Sequence, residues 1–472
     1  MKMITKRGIF LLILSLAFIV GIVFMTVSLV NNSDTWVMKR FNSHVYSDGE
    51  LIGAGTIYDK DGDALVQTKN GERVYADDQT TRKSTLHVVG DPRNFISNGV
   101  QSVYSARLTG YNLLFGVYNI ERYGKGNDLR LTIDKDINNI AYEALNGRKG
   151  TIGIVNYKTG DIICEVSSPS YDVENVPDNL DTSEKYEGVY INRFTDASYV
   201  PGSTFKLITA ICAIENISDI DERTWVCNGK YQPSEGIAIE CNANHGSHIN
   251  FNDALAKSCN ATFAQIAIEL GQDKLTKTAK ELGIDSSVVI SGAIRCYSGI
   301  FDDESNKMSA DLLGWTGIGQ GNTRIAPVTM LRVVSAIANG GNAPSFNLVQ
   351  SLANQAGKSL KITLPHNQSS LMPQEVADTM KKMMRYNVTE HYGEYNYKGL
   401  NLCAKSGTAQ IDDVDAHNIA WFTGFMDDDD HPYAFVVTIE NGNSGSQVAG
   451  PVARKVLNAL VNSESQNYYN CN

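Results

Sequence analysis

The sequence lacks any excess of positive charge, and this absence argues against one class of partner. Its formal net charge is −11, and the acidic residues are spread along the chain. Proteins that bind DNA or RNA usually carry lysine and arginine clustered on one face. We therefore expect no nucleic-acid partner.

The eight cysteines include no Cys-x-x-Cys pair, the tight spacing that is typical of a zinc knuckle. Cys227 and Cys241 flank a loop that contains glycine and proline, and they would form a disulfide in an oxidising compartment. His245 and His248 follow closely, so a zinc set of these four residues is an alternative. Spacing alone does not decide the disulfide, and we expect no metal and no cofactor.

One hydrophobic run, residues 8–30, is long enough to cross a membrane as a helix. Three cations precede it (Lys2, Lys6 and Arg7), and no small-x-small cleavage site follows it. We expect a retained single-pass anchor in the cell membrane, with residues 1–7 in the cytoplasm and the rest of the chain outside. A cleaved export signal is the alternative.

The strongest chemical signal is Ser203, the only serine followed three residues later by a lysine, Lys206. Pro201-Gly202 predicts a turn, and the apolar run after it predicts a helix with Ser203 in its first turn. Residues three apart share a helix face, so the Lys206 amine reaches the Ser203 hydroxyl. A serine attacks a carbonyl only when a base removes its proton, and a lysine of lowered pKa does this.

Two further segments offer polar groups of the same kind. Ser258 and Asn260 fall at a predicted junction between two helices, where they point a hydroxyl and an amide into a cleft. The alternative is that Ser258 only caps a helix and Asn260 only forms a turn, without a role in a site. Lys405, followed by Ser406-Gly407-Thr408, belongs to a predicted edge strand. Its glycine would let a substrate backbone approach closely.

Lys158-Thr159-Gly160 has the same Lys-Ser/Thr-Gly pattern as Lys405-Ser406-Gly407. It lies between two strand-like runs, which predicts a hairpin turn whose glycine supplies a positive φ. It also precedes the serine in the chain. We therefore exclude it from the candidate site.

Ser-x-x-Lys, Ser-x-Asn and Lys-Ser/Thr-Gly in this order resemble the penicillin-binding proteins and serine β-lactamases. Other segments extend the likeness, specifically to the monofunctional (class B) penicillin-binding proteins. These segments are Gly55–Gly62, Leu131–Asp134, Asn192-Arg193, Gly317–Gly321, Ala338–Gly341 and Trp421–Gly424. Together they cover nearly all of the chain outside the predicted membrane span.

The resemblance implies a peptidoglycan DD-transpeptidase that acts on the D-Ala-D-Ala end of a stem peptide. Ser203 would form the acyl-enzyme and Lys206 would take its proton. Ser258 would pass a proton to the leaving D-alanine, while Lys405 holds the local charge. Asn260 would bind the substrate amide and help to place Lys206.

By the same resemblance, the backbone N–H groups of Ser203 and Thr408 would form the oxyanion hole. Ser406, Gly407 and Thr408 would bind the substrate, with the two hydroxyls on its carboxylate. β-Lactams would acylate Ser203. Implied partners are lipid-linked precursor strands and a polytopic membrane glycosyltransferase.

Two alternatives to a transpeptidase are a serine β-lactamase and a protein without catalytic activity. No glutamate between Asn260 and Lys405 has an asparagine four residues later, so the water-activating element of class A β-lactamases is missing. Class D enzymes usually have a hydrophobic residue at the position of Asn260. The other alternative is a catalytically silent scaffold or β-lactam sensor, but such a protein has no reason to keep all five polar motif residues.

The predicted fold is of the α/β class (α+β type), a mainly antiparallel sheet flanked by helices. We expect residues 32–147 to form a small pedestal domain and residues 148–472 to form the transpeptidase domain. The expected sheet contains the hairpin 151–166 and the strands 402–408, 419–425 and 434–440. Residues 427–430 should form an exposed turn, and residues 448–461 a closing helix.

Overall fold

The computed structural model describes residues 2–47, 49–114, 116, 126–301, 307–354, 359–360, 367–411 and 417–470. Its α-helices are α1 (Lys2–Val37), α2 (Gln79–Val89), α3 (Val100–Val103), α4 (Ser105–Leu108), α5 (Lys135–Leu145), α6 (Lys206–Asn216), α7 (Phe251–Ala256), α8 (Asn260–Leu270), α9 (Gln272–Glu281), α10 (Ala310–Gly317), α11 (Pro327–Ala338), α12 (Gln374–Tyr386) and α13 (Gly450–Asn470).

Its strands are β1 (Tyr46–Ser47), β2 (Glu50–Leu51), β3 (Ile57–Tyr58), β4 (Ala64–Lys69), β5 (Glu72–Tyr75), β6 (Asp128–Leu131), β7 (Gly150–Asn156), β8 (Ile162–Ser168), β9 (Thr224–Cys227), β10 (Lys230–Ser234), β11 (Ile237–Glu240), β12 (Gly246–Asn250), β13 (Val289–Ile290), β14 (Ile294–Arg295), β15 (Asn342–Pro344), β16 (Val349–Ala353), β17 (Ser359–Leu360), β18 (Gln368–Ser370), β19 (Leu402–Ala409), β20 (Ile419–Met426) and β21 (Tyr433–Ile439).

A five-stranded sheet is the centre of the C-terminal half. Its order is β19-β20-β21-β7-β8, and every neighbouring pair is antiparallel. The predicted hairpin and the three predicted strands are therefore confirmed. The acidic segment 427–430 connects β20 to β21, as predicted, and β19 lies at the edge of the sheet.

Both faces of this sheet are covered, which explains why its strands are hydrophobic throughout. Phe422, Phe435 and Val437 belong to the core shared with α5 and α13. Trp421 and Val436 alternate with them and belong to the core on the other face, where α11 is buried along its length. The predicted closing helix is α13. The predicted fold class is confirmed.

A second sheet joins the N-terminal region to the rest of the molecule. Its order is β17-β16-β6-β3-β4-β5, and β3 and β6 are its only parallel pair. Strand β16 comes from the C-terminal half and pairs with β6. Helix α5 likewise precedes residue 147 but packs with α13 and β8. The boundary near residue 147 is therefore crossed by hydrogen bonds and by apolar packing.

Within the described residues, Thr5–Val37 is the one helix long and apolar enough to cross a membrane. Its most apolar stretch of 18 residues has a mean hydropathy of 2.9 and is not buried by any other part of the molecule. The predicted span 8–30 lies inside this helix. An apolar helix in this position fits a single-pass membrane anchor.

Candidate functional site: a serine and two buried lysines

Ser203 lies in a single 3₁₀ turn, Gly202–Thr204, that leads into α6. Lys206 is the first residue of α6 and has no exposed surface. Its Nζ lies 3.0 Å from Ser203 Oγ. The structure therefore places the amine within hydrogen-bond distance of the hydroxyl, as the three-residue spacing predicts.

Two glycines allow the segments around Ser203 to approach one another. Gly202 has φ +53°, and a Cβ there would lie 2.5 Å from the carbonyl oxygen of Thr408. A Cβ at Gly319 would lie 2.0 Å from the Gly202 oxygen, and the Gly202 N–H donates to the Gly319 oxygen at 2.9 Å. Any larger residue at either position would push the serine turn away from its neighbours.

The Ser258–Asn260 segment turns sharply between α7 and α8, which confirms the predicted helix junction. Ser258 has φ +55°, a left-handed conformation that side-chain-bearing residues rarely adopt. The Cys259 N–H donates to the Ala254 oxygen at 2.8 Å, and the Cys259 sulfur caps α8 by accepting from the Thr262 N–H. Left-handed residues of this kind cost about 1–3 kcal/mol and cluster at functional sites.

Ser258 links the two lysines. Its Oγ lies 3.1 Å from Lys206 Nζ and 3.1 Å from Lys405 Nζ. Lys206 also lies 2.7 Å from the Ser258 carbonyl oxygen and 2.7 Å from Asn260 Oδ1. Lys405 donates to the Ser406 carbonyl oxygen at 2.8 Å. All five polar residues predicted from the three motifs therefore meet in one place.

Their surroundings disfavour the charged form of both lysines, because the structure buries them completely and, among the residues it describes, pairs neither with a carboxylate. Burial lowers the pKa of Lys206 to about 8. Burial, followed by repulsion from Lys206, lowers the pKa of Lys405 well below its ordinary value. Burial and the repulsion between the two amines therefore both favour loss of a proton from the pair.

A neutral Lys206 is compatible with the groups around it. A neutral amine has two N–H groups, and two of its neighbours, the Ser258 carbonyl and Asn260 Oδ1, only accept hydrogen bonds. The remaining lone pair is then available to the Ser203 hydroxyl. An amine placed in this way can act as the general base that a serine nucleophile requires.

Asn260 is held from both ends of its amide. Its Oδ1 accepts from Lys206, and its Nδ2 donates to the Glu240 carbonyl at 2.8 Å. The geometry thus supports the expected role in placing Lys206. A substrate amide would have to use the second N–H of Nδ2.

The edge strand β19 presents its residues alternately. Lys405 points toward Ser258, whereas Ser406 Oγ lies 3.0 Å from the Tyr392 hydroxyl, which also accepts from the Ser406 N–H at 2.8 Å. Thr408 Oγ1 accepts from the Gly445 N–H at 3.2 Å. Nothing in the sequence signalled Tyr392, which lies in the short π-helix Asn387–Gly393 after α12.

Gly407 has a different reason to be glycine from the one we expected. A Cβ there would lie 2.8 Å from the Pro201 oxygen and 2.9 Å from Thr204 Cγ2. The missing side chain therefore makes room for the Ser203 turn of the protein itself. Approach of a substrate backbone stays a prediction.

The segment before Ser203 is fixed to the central sheet. Arg193 Nε donates to Glu440 Oε1 at 2.7 Å, and the Tyr199 hydroxyl donates to the same oxygen at 2.8 Å. The Trp421 indole N–H donates to the Val200 oxygen at 3.0 Å. These bonds hold the turn of Ser203 beside β19.

The site opens into a cleft of about 550 Å³. Its polar lining includes Ser203, Ser258, Asn260, Ser406 and Thr408. A larger concavity of about 920 Å³ lies beside residues 180–191, but its lysines are not buried amines without an acid: Lys185 is exposed and Lys149 pairs with Glu187 at 2.6 Å. The cleft at Ser203 is therefore the better candidate for covalent chemistry.

Known proteins resemble this chain over most of its length. The family described as "Penicillin binding protein transpeptidase domain" matches residues 150–458. The peptidoglycan D,D-transpeptidase PbpA of Mycolicibacterium smegmatis is 26% identical over 402 residues, which cover 78% of this chain and 80% of that protein. The peptidoglycan D,D-transpeptidase MrdA of Escherichia coli is 26% identical over 377 residues, which cover 71% of this chain and 58% of that protein.

Solved structures show the same fold. The ceftriaxone acyl-enzyme of penicillin-binding protein A from M. tuberculosis superposes with a TM-score of 0.76 at 23% identity, covering 86% of this chain and 98% of that chain. The D,D-transpeptidase domain of a peptidoglycan glycosyltransferase from Eggerthella lenta gives 0.74 at 24% identity, covering 87% and 98%. The family match contains all eight predicted site residues.

Proposed function

We propose that this chain, which belongs to the penicillin-binding protein transpeptidase family, is a class B peptidoglycan D,D-transpeptidase that β-lactams acylate and inhibit. The observation that carries the proposal is the Lys206 amine, which is buried, lies 3.0 Å from Ser203 Oγ and has no acidic partner in the part of the chain that the structure describes. Curated relatives named D,D-transpeptidase and a penicillin G acyl-enzyme of penicillin-binding protein A from M. tuberculosis support it.

Acylation begins at Ser203. Its Oγ attacks the carbonyl carbon of the penultimate D-alanine while its proton passes to Lys206. The negative charge that develops on the carbonyl oxygen is received by the backbone N–H groups of Ser203 and Thr408. Loss of one such donor typically raises a barrier by about 2.7–4 kcal/mol.

Collapse of this intermediate breaks the bond to the terminal D-alanine. The departing nitrogen takes a proton through the Ser258 hydroxyl, which is in contact with both lysines. The shared position of Ser258 Oγ supports this relay, since a proton lost at Ser258 is replaced from Lys206 or Lys405. Ser406 and Thr408 hold the carboxylate of the substrate.

An amine of a second stem peptide then attacks the acyl-enzyme, which releases Ser203 and forms the cross-link. Water attacks slowly, because no residue pair of the class A β-lactamase type is present to activate it. We therefore expect penicillins to leave a long-lived adduct. A silent scaffold has no use for a base placed on a serine.

The N-terminal helix suggests how the enzyme is placed. We propose that residues 8–30 span the cell membrane, that residues 1–7 lie in the cytoplasm, and that the catalytic region lies outside. Residues 32–147 would form the pedestal and residues 148–472 the transpeptidase domain, which the family match at 150–458 supports. Lipid-linked precursor strands and a polytopic glycosyltransferase are the proposed partners.

A donor–acceptor exchange tests the proposed reaction. The detergent-solubilised full chain is mixed with a peptide that ends in D-Ala-D-Ala and with a different D-amino acid, and the products are weighed by mass spectrometry. We expect exchange of the terminal residue, and none with Ser203→Ala. Exchange that survives this substitution would contradict the assignment of Ser203.

A further inference from the structure

Four potential metal ligands meet beside the cleft. Cys227, Cys241, His245 and Cys259 each offer one ligand atom, and these four atoms lie within 4.8 Å of one another. His245 Nδ1 lies 3.4 Å from Cys227 Sγ and 3.5 Å from Cys241 Sγ. Cys241 Sγ lies 3.9 Å from Cys259 Sγ. No disulfide joins the cysteines that the structure describes.

Three of the six ligand separations, 3.4, 3.5 and 3.9 Å, are close to the edges of a small tetrahedron. Zinc binds sulfur at about 2.3 Å and histidine nitrogen at about 2.0–2.1 Å, so tetrahedral ligands lie about 3.5–3.8 Å apart. A disulfide between any two of the sulfurs would not involve the third sulfur or the imidazole. One metal ion would satisfy all four groups.

The backbone already fixes these ligands in place. Cys227 ends β9, and the His245 N–H donates to the Cys227 carbonyl at 3.1 Å. Cys241 follows β11, and its N–H donates to the Gly229 oxygen at 2.8 Å. Cys259 caps α8. The ligands therefore come from three elements that are held by their own hydrogen bonds.

Two of the sulfurs accept hydrogen bonds, as metal-bound thiolates commonly do. The Asn260 N–H donates to Cys241 Sγ at 3.3 Å. The N–H and hydroxyl of Thr262 donate to Cys259 Sγ at 3.4 and 3.2 Å. Such donors stabilise the negative charge that a thiolate needs in order to bind a cation.

We propose that Cys227, Cys241, His245 and Cys259 bind one Zn²⁺ ion in a closed tetrahedral site. Thiolate and imidazole donors suit zinc, and four protein ligands leave no open position for substrate. The ion therefore has a structural role. The site differs from the zinc set that the sequence offered, because Cys259 replaces His248, which is exposed and hydrogen-bonded to Ser247.

The ion would fix two parts of the cleft at once. Cys259 separates Ser258 from Asn260, and Cys241 follows Glu240, whose carbonyl orients the Asn260 amide. Binding both cysteines to one ion would hold the Ser258–Asn260 turn against the Glu240 strand. Its ligands are thus positioning residues for the Lys206 contact. This consequence rests on the proposed function, whereas metal binding does not.

Metal content is the direct test. The full chain is purified without a metal-affinity tag, and its metals are measured by mass spectrometry. We expect about one zinc per chain in wild type and in His248→Ala, and a loss of most of it in His245→Ala. Cobalt exchanged into the wild type should give the thiolate charge-transfer and intense visible bands of tetrahedral coordination.

Several results would overturn the site. One such result is wild-type protein that contains no zinc and has two of the three cysteines joined as a disulfide. This result would overturn the site even if His245→Ala failed to fold. A metal other than zinc in the wild-type protein would also overturn the site. Equal zinc contents in His245→Ala and His248→Ala would overturn it too. If zinc is present but no D-Ala exchange occurs, the proposed function fails and the metal site stands.

Removal of zinc tests the positioning role separately. We expect chelation, like His245→Ala, to slow penicillin acylation at temperatures where the protein remains folded, and added zinc to restore the rate in the chelated wild type. His248→Ala should acylate at the wild-type rate. An unchanged acylation rate in folded, zinc-free protein would contradict the positioning role.

Discussion

Two segments with the same Lys-Ser/Thr-Gly pattern have opposite surroundings in this molecule. Lys405 lies in an edge strand, has no exposed surface, and contacts the Ser258 hydroxyl. Lys158 lies in the turn between β7 and β8, its side chain is 43% exposed, and it pairs with Asp429 at 2.6 Å. Gly160 there has φ +84°, as the predicted hairpin requires.

The difference shows that the reactivity of a Lys-Ser/Thr-Gly segment depends on the groups that the fold places beside its lysine. The turn at Lys158 faces solvent, and its lysine pairs with an acid. The strand at Lys405 faces a second buried lysine and two serines. Burial of an amine without an acid costs several kcal/mol in its charged form, so the amine tends to lose its proton.

Replacing each lysine by methionine gives the largest expected contrast. Lys405→Met removes one end of the proposed proton relay, and we expect the rate of penicillin acylation to fall about 10²–10⁴-fold, the usual contribution of general acid–base groups. Lys158→Met should acylate at the wild-type rate. Stopped-flow acylation with a fluorescent penicillin measures both. Equal rates in the two variants would break the comparison.

Alanine substitutions at Gly407 and Gly160 should have different effects, the first mainly on catalysis and the second mainly on stability. Gly407→Ala presses on Pro201 and Thr204 and shifts the Ser203 turn, so we expect up to about a 10²-fold slower acylation. Gly160→Ala places a Cβ 2.1 Å from the Ser345 oxygen at a positive φ. It should lower the melting temperature more than Gly407→Ala does, with acylation retained in the folded fraction. The opposite pattern would contradict the roles given to the two glycines.

The pH dependence of acylation should report the buried pair. Neutral Lys206 is the proposed base and burial lowers its pKa to about 8, so the rate should rise about tenfold between pH 7 and pH 9. Burial and the Lys405 charge lower the pKa of His391 at the cleft, which moves its titration below this range. Lys158→Met should keep the same profile. A flat profile across this range would argue against Lys206 as the base.

The smallest effect is expected at the exposed ion pair. Asp429→Asn removes the partner of Lys158, and exposed pairs contribute little to stability. We expect neither the melting temperature nor the acylation rate to change measurably. A clear loss of acylation would give the turn at Lys158 a role that its surroundings do not suggest.

Much of the site followed from the sequence because each motif lies in an element of strong local signal. The turn at Pro201-Gly202 and the apolar run after it predicted where Ser203 and Lys206 would lie. The helix junction at Ser258 and the edge strand at Lys405 followed in the same way. Their convergence came only from the family resemblance, since no local pattern brings them together.

The features that were missed depend on contacts between distant parts of the chain. Tyr392 reaches Ser406 from a π-helix, and strand β16 pairs with β6 more than two hundred residues earlier. Cys259 joins Cys227 and Cys241 only because α8 packs beside their strands.

Intact-mass measurement with penicillin G tests most directly the claim that Ser203 is activated by a buried amine. The full chain should gain the mass of one penicillin, and peptide mapping should locate it on Ser203. The adduct should persist, and it should be absent from Ser203→Ala. An adduct on another residue, no adduct in folded protein, or rapid hydrolytic turnover of the drug would contradict the account.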